Sequence, residues 1–293
     1  MKDLVGWECP IFIDQEGGRV QRLSNPSFLK YPPAKLFGEV AKINIIDAVK
    51  AVDLNYSLIG KELKSYGINV NCAPCIDVIS KQTHEVIGDR AFSNDARLVA
   101  KLGLSACNGL LRQGVVPVIK HIPGHGRGNK DSHKELPFVK DSLNILQYND
   151  FVPFKKLSKM PFAMTAHIIY NEIDDSLPIS VSLKAHEYIR SVLKYEGILM
   201  TDDISMKALS GSIKEKIYNI NNAGYDLILH CSGEENEIIN VLEHSPIVKK
   251  EIFDRWLEVN NSFENITTFN IHNIMDEINK ILSTNVGIKW KYK

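Results

Sequence analysis

Six short apolar runs, each ending in polar and mostly ionisable residues, constrain the fold of this chain more than any other feature. They are Pro10-Ile11-Phe12-Ile13, Ile68-Asn69-Val70-Asn71-Cys72, Val115-Val116-Pro117-Val118-Ile119, Phe162-Ala163-Met164, Gly197-Ile198-Leu199-Met200 and Asp226-Leu227-Ile228-Leu229. Each has the length of a strand, and helix-period segments separate them over 45–66, 95–113, 183–195 and 212–222. In the first of these, Ala48, Ala51, Val52, Asn55, Leu58, Ile59, Glu62 and Leu63 recur at helical spacing and are mostly apolar. Strands alternating with helices imply parallel βαβ units. No Pro/Ser/Gly linker or composition shift divides the 293 residues, which read as one domain. Its barrel part covers about 1–235. A helical part covers about 236–293, in which 236–275 is helical and 276–293 trails off.

Two parallel architectures compete. A doubly wound sheet gathers its ligand contacts at one switch point, often behind a glycine-rich first turn. A (β/α)8 barrel places chemistry at the C-terminal end of many strands. Here Asp14-Gln15-Glu16, Asp77, Lys120-His121, His167 and Asp202-Asp203 each follow a different run. That distribution favours an α/β TIM-type barrel, of whose eight strands six are recognisable.

Charge and composition remove several functions. Lys plus Arg and Asp plus Glu each number 35, a balance that argues against a general nucleic-acid or polyanion binder. The basic-aromatic end Lys289-Trp290-Lys291-Tyr292-Lys293 reads as a solvated terminus. The five cysteines include one CxxC, Cys72 to Cys75, but no second pair completes a zinc site. Reduced, structural thiols of a cytoplasmic protein are expected. No signal peptide opens the chain, and no segment approaches eighteen uncharged apolar residues, so neither export nor a membrane is expected.

The motifs at the run ends each carry two readings. In Thr201-Asp202-Asp203, a carboxylate at a barrel mouth can act as nucleophile or ligand, or it can cap a helix. Two acids allow one to cap while the other reacts. In Asp131-Ser132-His133, the aspartate either orients the histidine for proton transfer or caps a surface turn. His121 and His125 have the spacing of a helical zinc pair, but Pro123 and Gly124 between them deny the helix. Gly124, Gly126 and Gly128 lack the Gly-Lys-Ser/Thr of a phosphate loop. What remains is a flexible histidine-bearing loop leaving a strand, suited to contact a substrate. Asp14-Gln15-Glu16-Gly17-Gly18-Arg19-Val20-Gln21-Arg22 reads either as a hydroxyl-binding set of acids and arginines or as a solvated turn. Arg90 of Gly88-Asp89-Arg90 either binds a polar ligand or pairs with Asp89, and His167 is either a ligand contact or a packed supporting residue.

Taken together and in this order, the stretches IDQEGGRVQRL (13–23), GDRAFSND (88–95), KHIPGHG (120–126), DSH (131–133), MTAHIIY (164–170) and TDDISM (201–206) resemble the β-N-acetylhexosaminidases of glycoside hydrolase family 3, the NagZ type. They run collinearly across about 10–235. The resemblance implies a retaining exo-β-N-acetylglucosaminidase on a TIM barrel, with Asp202 as nucleophile and His133 as acid–base residue supported by Asp131. It places sugar contacts at Asp14, Arg22, Arg90, Lys120 and His121, and implies no metal or organic cofactor. The implied substrates are small carbohydrates, muropeptide fragments of the N-acetylglucosaminyl-1,6-anhydro-N-acetylmuramyl kind, handled by a cytoplasmic monomer in cell-wall recycling. Retention needs a nucleophile and a group that is acid first and base later. A histidine in the second role is neutral as the base and so avoids like-charge repulsion with the anionic nucleophile.

The resemblance departs at the start of the chain. Family members carry two further strand–helix units before the Asp-Gln-Glu-Gly-Gly strand, roughly 60 residues at about 250 residues for eight units. Met1-Lys2-Asp3-Leu4-Val5-Gly6 reads as the tail of the second helix. A six-strand sheet of this kind is expected to expose two edges and an apolar interior. Two other functions stand beside the first: a non-catalytic sugar-binding remnant, because the barrel is incomplete, or a β-glucosidase of the same family, against which the Asp-Ser-His loop speaks.

Overall fold

A computed structural model describes residues 5–263 and 268–293; the stretch 1–4, and with it most of the expected helix tail, lies outside the described residues. In chain order the strands are β1 (Phe12–Ile13), β2 (Gln15–Gly17), β3 (Val20–Gln21), β4 (Val70–Asn71), β5 (Val116–Ile122), β6 (Phe138–Val139), β7 (Phe162–Thr165), β8 (Ile169–Tyr170), β9 (Ile198–Asp203) and β10 (Leu227–Leu229). The helices are α1 (Ala34–Ile43), α2 (Ile45–Ser65), α3 (Ala96–Leu111), α4 (Leu143–Tyr148), α5 (Val152–Lys156), α6 (Leu183–Ser191), α7 (Ile213–Ala223), α8 (Glu235–His244), α9 (Lys250–Asn261) and α10 (Ile271–Val286).

All six apolar runs become strands of one parallel sheet, in the order β1-β4-β5-β7-β9-β10. It is a curled, incomplete TIM-type barrel. The helices between them start where the sequence offers caps. Asn44 accepts from the amides of Ile46 and Asp47, Asp95 from those of Arg97 and Leu98, and Ser212 forms a capping box with Glu215. The apolar stripe of α2 buries Ala48, Ala51, Val52, Leu58, Ile59 and Leu63 against its neighbours.

Side-chain alternation along the strands divides the apolar residues into two cores. One face packs on the surrounding helices, with Ile119, Ala163 and Leu199 among its members. The other face carries Val70 and Cys72, Val116 and Val118, Phe162 and Met164, Ile198 and Met200, with Leu227 and Leu229 at its margin. This is the concave side of the curled sheet, and it corrects the expectation of an exposed apolar interior. Ile252 and Trp256 of α9 pack into it, joined by Leu257 and Phe263. The Trp256 ring meets Phe162 at 6.2 Å and its indole N–H donates to the Glu8 carbonyl at 2.9 Å. The two expected edges, on β1 and β10, are unpaired among the described residues.

The C-terminal expectation also needs correction. The last helix, α10, runs to Val286, and Asn270 caps its start. Beyond it, the basic-aromatic end is docked instead of solvated. Tyr292 is buried, the Trp290 indole donates to the Lys30 carbonyl, and the Lys30 amide donates to the Tyr292 carbonyl. Lysines at 289, 291 and 293 stay outside while the aromatic rings between them fill a gap, which a charge count cannot show.

Candidate active site

The period-two alternation that builds the inner apolar core also delivers the charged residues above it. Continuing Ile198, Met200 gives Asp202; continuing Val116, Val118 gives Lys120; continuing Phe12 gives Asp14. These positions meet at the C-terminal mouth of the strands, where they line a cleft of about 270 Å3 with Arg19, Arg22, Arg90, His121, His133, Met164, Asp203, Leu229 and Cys231. Of the predicted site residues, Asp14, Arg22, Arg90, Lys120, His121, His133 and Asp202 all reach this one surface. Asp131 stands behind His133.

Lys120 organises the floor. Its ammonium lies 2.7 Å from both Asp14 Oδ1 and Glu16 Oε1, and it is almost fully buried. Burial alone would raise the Asp14 carboxyl, but Lys120 and then Arg22 outweigh it and hold the group well below the usual carboxylate range. Burial would likewise deprotonate Lys120, and the two carboxylates keep it charged instead. Arg22 adds a 3.2 Å contact to Asp14 Oδ2. Arg90 does not pair with Asp89. Its guanidinium grips Glu16 with two parallel bonds of 2.9 Å, while Asp89 pairs with Arg19. Glu16 therefore joins the site by anchoring both Arg90 and Lys120. The hairpin β2–β3 presents this set, and its turn needs Gly17 and Gly18 at φ of +96° and +57°.

Lys120 and His121 are consecutive yet both face the cleft. The β5–β7 register shifts between Lys120 and Ile122, which breaks the alternation at this point. His121 is fixed from behind by Asp77. Its Nδ1–H donates to Asp77 Oδ2 at 2.7 Å, and its amide and that of His125 donate to Asp77 Oδ1. The Asp77 carboxyl, fully buried, would be raised by that burial, but His121 holds it well down. His121 consequently presents Nε2 to the cleft, 3.4 Å from Arg90 Nη2. Cys75, Asp77 and His121 also form a compact cluster of metal-ligating residue types. Their polar atoms are already joined in hydrogen bonds, the Cys75 thiol donating to Asp77 Oδ2, and burial pushes that thiol far up, away from the thiolate a metal prefers. His125, the other member of the supposed zinc pair, is buried and driven down to about 4 by burial and then by His121, so it stays neutral.

The two acids after β9 divide as their spacing allows. Asp203 accepts from the Ser205 amide and hydroxyl and from the Cys231 amide, tying the turn after β9 to β10. Asp202 faces the cleft, with one oxygen accepting from the Asp203 amide at 2.8 Å. Burial would raise its carboxyl, but His121 and His167 together with that amide hold it below the ordinary value. His167 is a packed supporting residue: its Nε2–H donates to the Asp203 carbonyl and its Nδ1 contacts Ser180.

Asp131 makes the contacts of a turn cap and also reaches the His133 ring. Asp131 Oδ1 accepts from the His133 amide at 3.0 Å, as a turn cap does, and from His133 Nδ1–H at 2.8 Å. His133 is well exposed and lines the same cleft as Lys120. The carbonyls of Ser132 and His133 accept from the amides of Ala208 and Lys207, docking this loop on the turn that follows Asp202 and Asp203. Sequence reasoning did not assign roles to Glu16 or to Asp77. Asp77 carried a signal, as an acid just past a strand, whereas Glu16 is marked only by its place in the Asp-Gln-Glu run.

The cleft thus combines an ionised buried carboxylate, a histidine backed by an aspartate, and several fixed cations and anions. Residues 6–261 match the description of the glycosyl hydrolase family 3 N terminal domain. A curated relative named beta-hexosaminidase, from Bordetella avium (strain 197N), is 32% identical over 243 residues, covering 80% of this chain and 69% of the relative. The structure is similar to that of native NagZ from Neisseria gonorrhoeae, with a TM-score of 0.82 and 28% identity over 94% of this chain and 81% of the other. It is as similar to the same protein in complex with N-trifluoroacetyl-D-glucosamine, at TM-score 0.82, 28% identity and coverages of 94% and 82%.

Proposed function

The chain belongs to glycosyl hydrolase family 3 and is a glycosidase of the β-hexosaminidase kind, and from that premise we propose that it is a retaining exo-β-N-acetylglucosaminidase. Its substrates are peptidoglycan fragments, N-acetylglucosaminyl-1,6-anhydro-N-acetylmuramic acid with or without peptide. It works as one catalytic domain over 1–293, as a cytoplasmic monomer in wall recycling. The observation that carries the reading is that one cleft is lined by Asp202 and His133 together with Asp14, Lys120, His121, Arg22 and Arg90.

In this mechanism the floor residues bind ring hydroxyls. Lys120 and the arginines donate, and Asp14 accepts. Bonds of this kind strengthen as positive charge develops on the ring, so they favour the transition state over the bound substrate. Asp202, kept ionised by His121 and His167, attacks the anomeric carbon and forms a glycosyl ester. His133 gives its proton to the departing oxygen as that bond breaks. It then takes a proton from the water that releases the sugar, returning Asp202 to carboxylate. Asp131 holds the imidazole through Nδ1, leaving Nε2 for both transfers.

Hydrolysis of a chromogenic β-N-acetylglucosaminide tests the reading. Asp202→Ala is expected to reduce turnover by roughly 10^4-fold or more, and His133→Ala by roughly 10^2- to 10^4-fold. Retention of most of the activity by Asp202→Ala refutes the assignment. Preference for a chromogenic β-glucoside marks a β-glucosidase, and inactivity of the folded chain on both substrates marks a sugar-binding remnant.

A further inference from the structure

Arg127 lies at the neck of the loop that carries Asp131 and His133. Its guanidinium donates from Nη1 to Asp141 Oδ1 at 2.9 Å and from Nε to Asp150 Oδ2 at 2.7 Å. Residues 128–140 therefore leave and re-enter the fold at one point, an Ω-type loop whose ends an ion pair ties together and whose returning end is also held by the pairing of β6 with β8. Asp150 is fully buried beneath it, between α4 and α5, and the arginine itself is mostly buried.

The inner side of the neck is fixed independently. The Gly126 carbonyl accepts from the hydroxyls of Ser80 and Thr83, and the Gly128 carbonyl accepts from the His84 amide. A side chain at 126 would meet the Val78 carbonyl at 1.7 Å, so the chain passes this point without room to shift. The tip is held differently. Its backbone rests on the amides of Lys207 and Ala208, and the His133 side chain is 61% exposed. Where His133 points thus depends on how the two strands of the neck are set, and Arg127 is the side chain that joins them.

We propose that Arg127 is a positioning residue for the acid–base histidine, closing the neck of the 128–140 loop so that His133 stays over the bond above Asp202; this rests on the roles given to His133 and Asp202 above. Untying the neck leaves the β6–β8 pairing in place, so the loop shifts without being released from the fold. A displacement of about 1 Å at a reacting group nevertheless costs on the order of 10^2-fold in rate. Arginine suits the position because one planar fork serves two carboxylates at once, which a lysine ammonium does with less geometric control.

The test uses Arg127→Gln, Arg127→Lys and Asp141→Ala in the full chain, with thermal denaturation to establish folding. Arg127→Gln leaves Asp150 buried without its partner and is at risk of unfolding. Asp141 is partly exposed, so Asp141→Ala opens the neck while the Arg127–Asp150 pair remains. Turnover is measured on a nitrophenyl and an alkyl β-N-acetylglucosaminide, with and without azide. Azide attacks the anomeric carbon of the glycosyl ester and expels the Asp202 carboxylate without any proton transfer, so it bypasses a misplaced base. The folded variants are expected to lose at least about tenfold in kcat, more on the alkyl substrate whose departure needs the acid. KM does not rise, azide restores the nitrophenyl reaction with formation of the β-glycosyl azide, and Arg127→Lys falls between. An unchanged kcat, or a loss equal on both substrates and indifferent to azide, overturns the proposal. If His133→Ala itself shows no azide rescue, the role of His133 fails and the proposal with it, a result separable from failure at Arg127 alone.

Discussion

At the scale of single residues, the cleft is a set of charges that tolerate burial because each has a partner. Glu16 shows this most clearly. It is nearly inaccessible, and burial alone would raise its carboxyl; Arg90 and then Lys120 reverse that and hold it down. Replacing Glu16 with Gln keeps the shape but leaves two buried cations with one formal partner, Asp14, between them. Breaking a buried pair on one side costs about 3–5 kcal/mol. Glu16→Gln is therefore expected to lose stability of that order in urea titration and to lose most activity, since Arg90 and Lys120 both shift. A variant with wild-type stability contradicts the argument. Residues of this kind explain the limits of the sequence. Asp14, Lys120 and Asp202 could be picked out because each ends an apolar run. Glu16 and Asp77 have their meaning in contacts made 74 and 44 positions away in the chain, with Arg90 and His121.

The elements were legible wherever periodicity was sustained. Six apolar runs became six paired strands, and the helix over 45–66 was observed as Ile45–Ser65. Short elements escaped: β2, β3, β6 and β8 have two or three residues each, too few for an alternation to show. The role of α9 also escaped, because its amphipathic pattern says that it buries a face and not which surface receives it. That surface is the concave core, where Trp256 is 3% exposed against Phe162. Truncating a buried Trp to Ala removes its packing and leaves a void, a change worth about 3–5 kcal/mol. Trp256→Ala is expected to fall in that range by chemical denaturation, and Leu242→Ala, at an exposed position of the neighbouring helix, by less than about 0.5 kcal/mol. Equal small effects at the two positions would mean that α9 is not what holds the inner core.

For the molecule as a whole, the open sheet and the charged cleft give stability a definite pH dependence. His125 is buried and neutral, its pKa driven from 6.5 to about 4, and burial lowers His167 in the same direction. Between these pH values the unfolded chain binds a proton at His125 that the folded chain does not. Stability is therefore complete above about 6.5 and falls as the pH drops towards 4, by about 3 kcal/mol for His125 alone. The carboxyls of Asp14, Glu16, Asp77 and Asp202 are all depressed in the fold. Their contribution is intact above the ordinary carboxylate range and is lost only as the pH falls below it. Acid unfolding should thus come in two phases, a moderate loss from the histidines followed by a steeper one from the acids. Urea midpoints measured from pH 7.5 down to about 2 would trace both. His125→Gln is expected to shift the whole curve but to flatten its upper phase, whatever the substitution costs in packing. Constant stability of the unaltered protein between pH 6.5 and 4.5 would show that His125 takes up a proton without leaving the fold, and with it that the floor behind His121 is open to water.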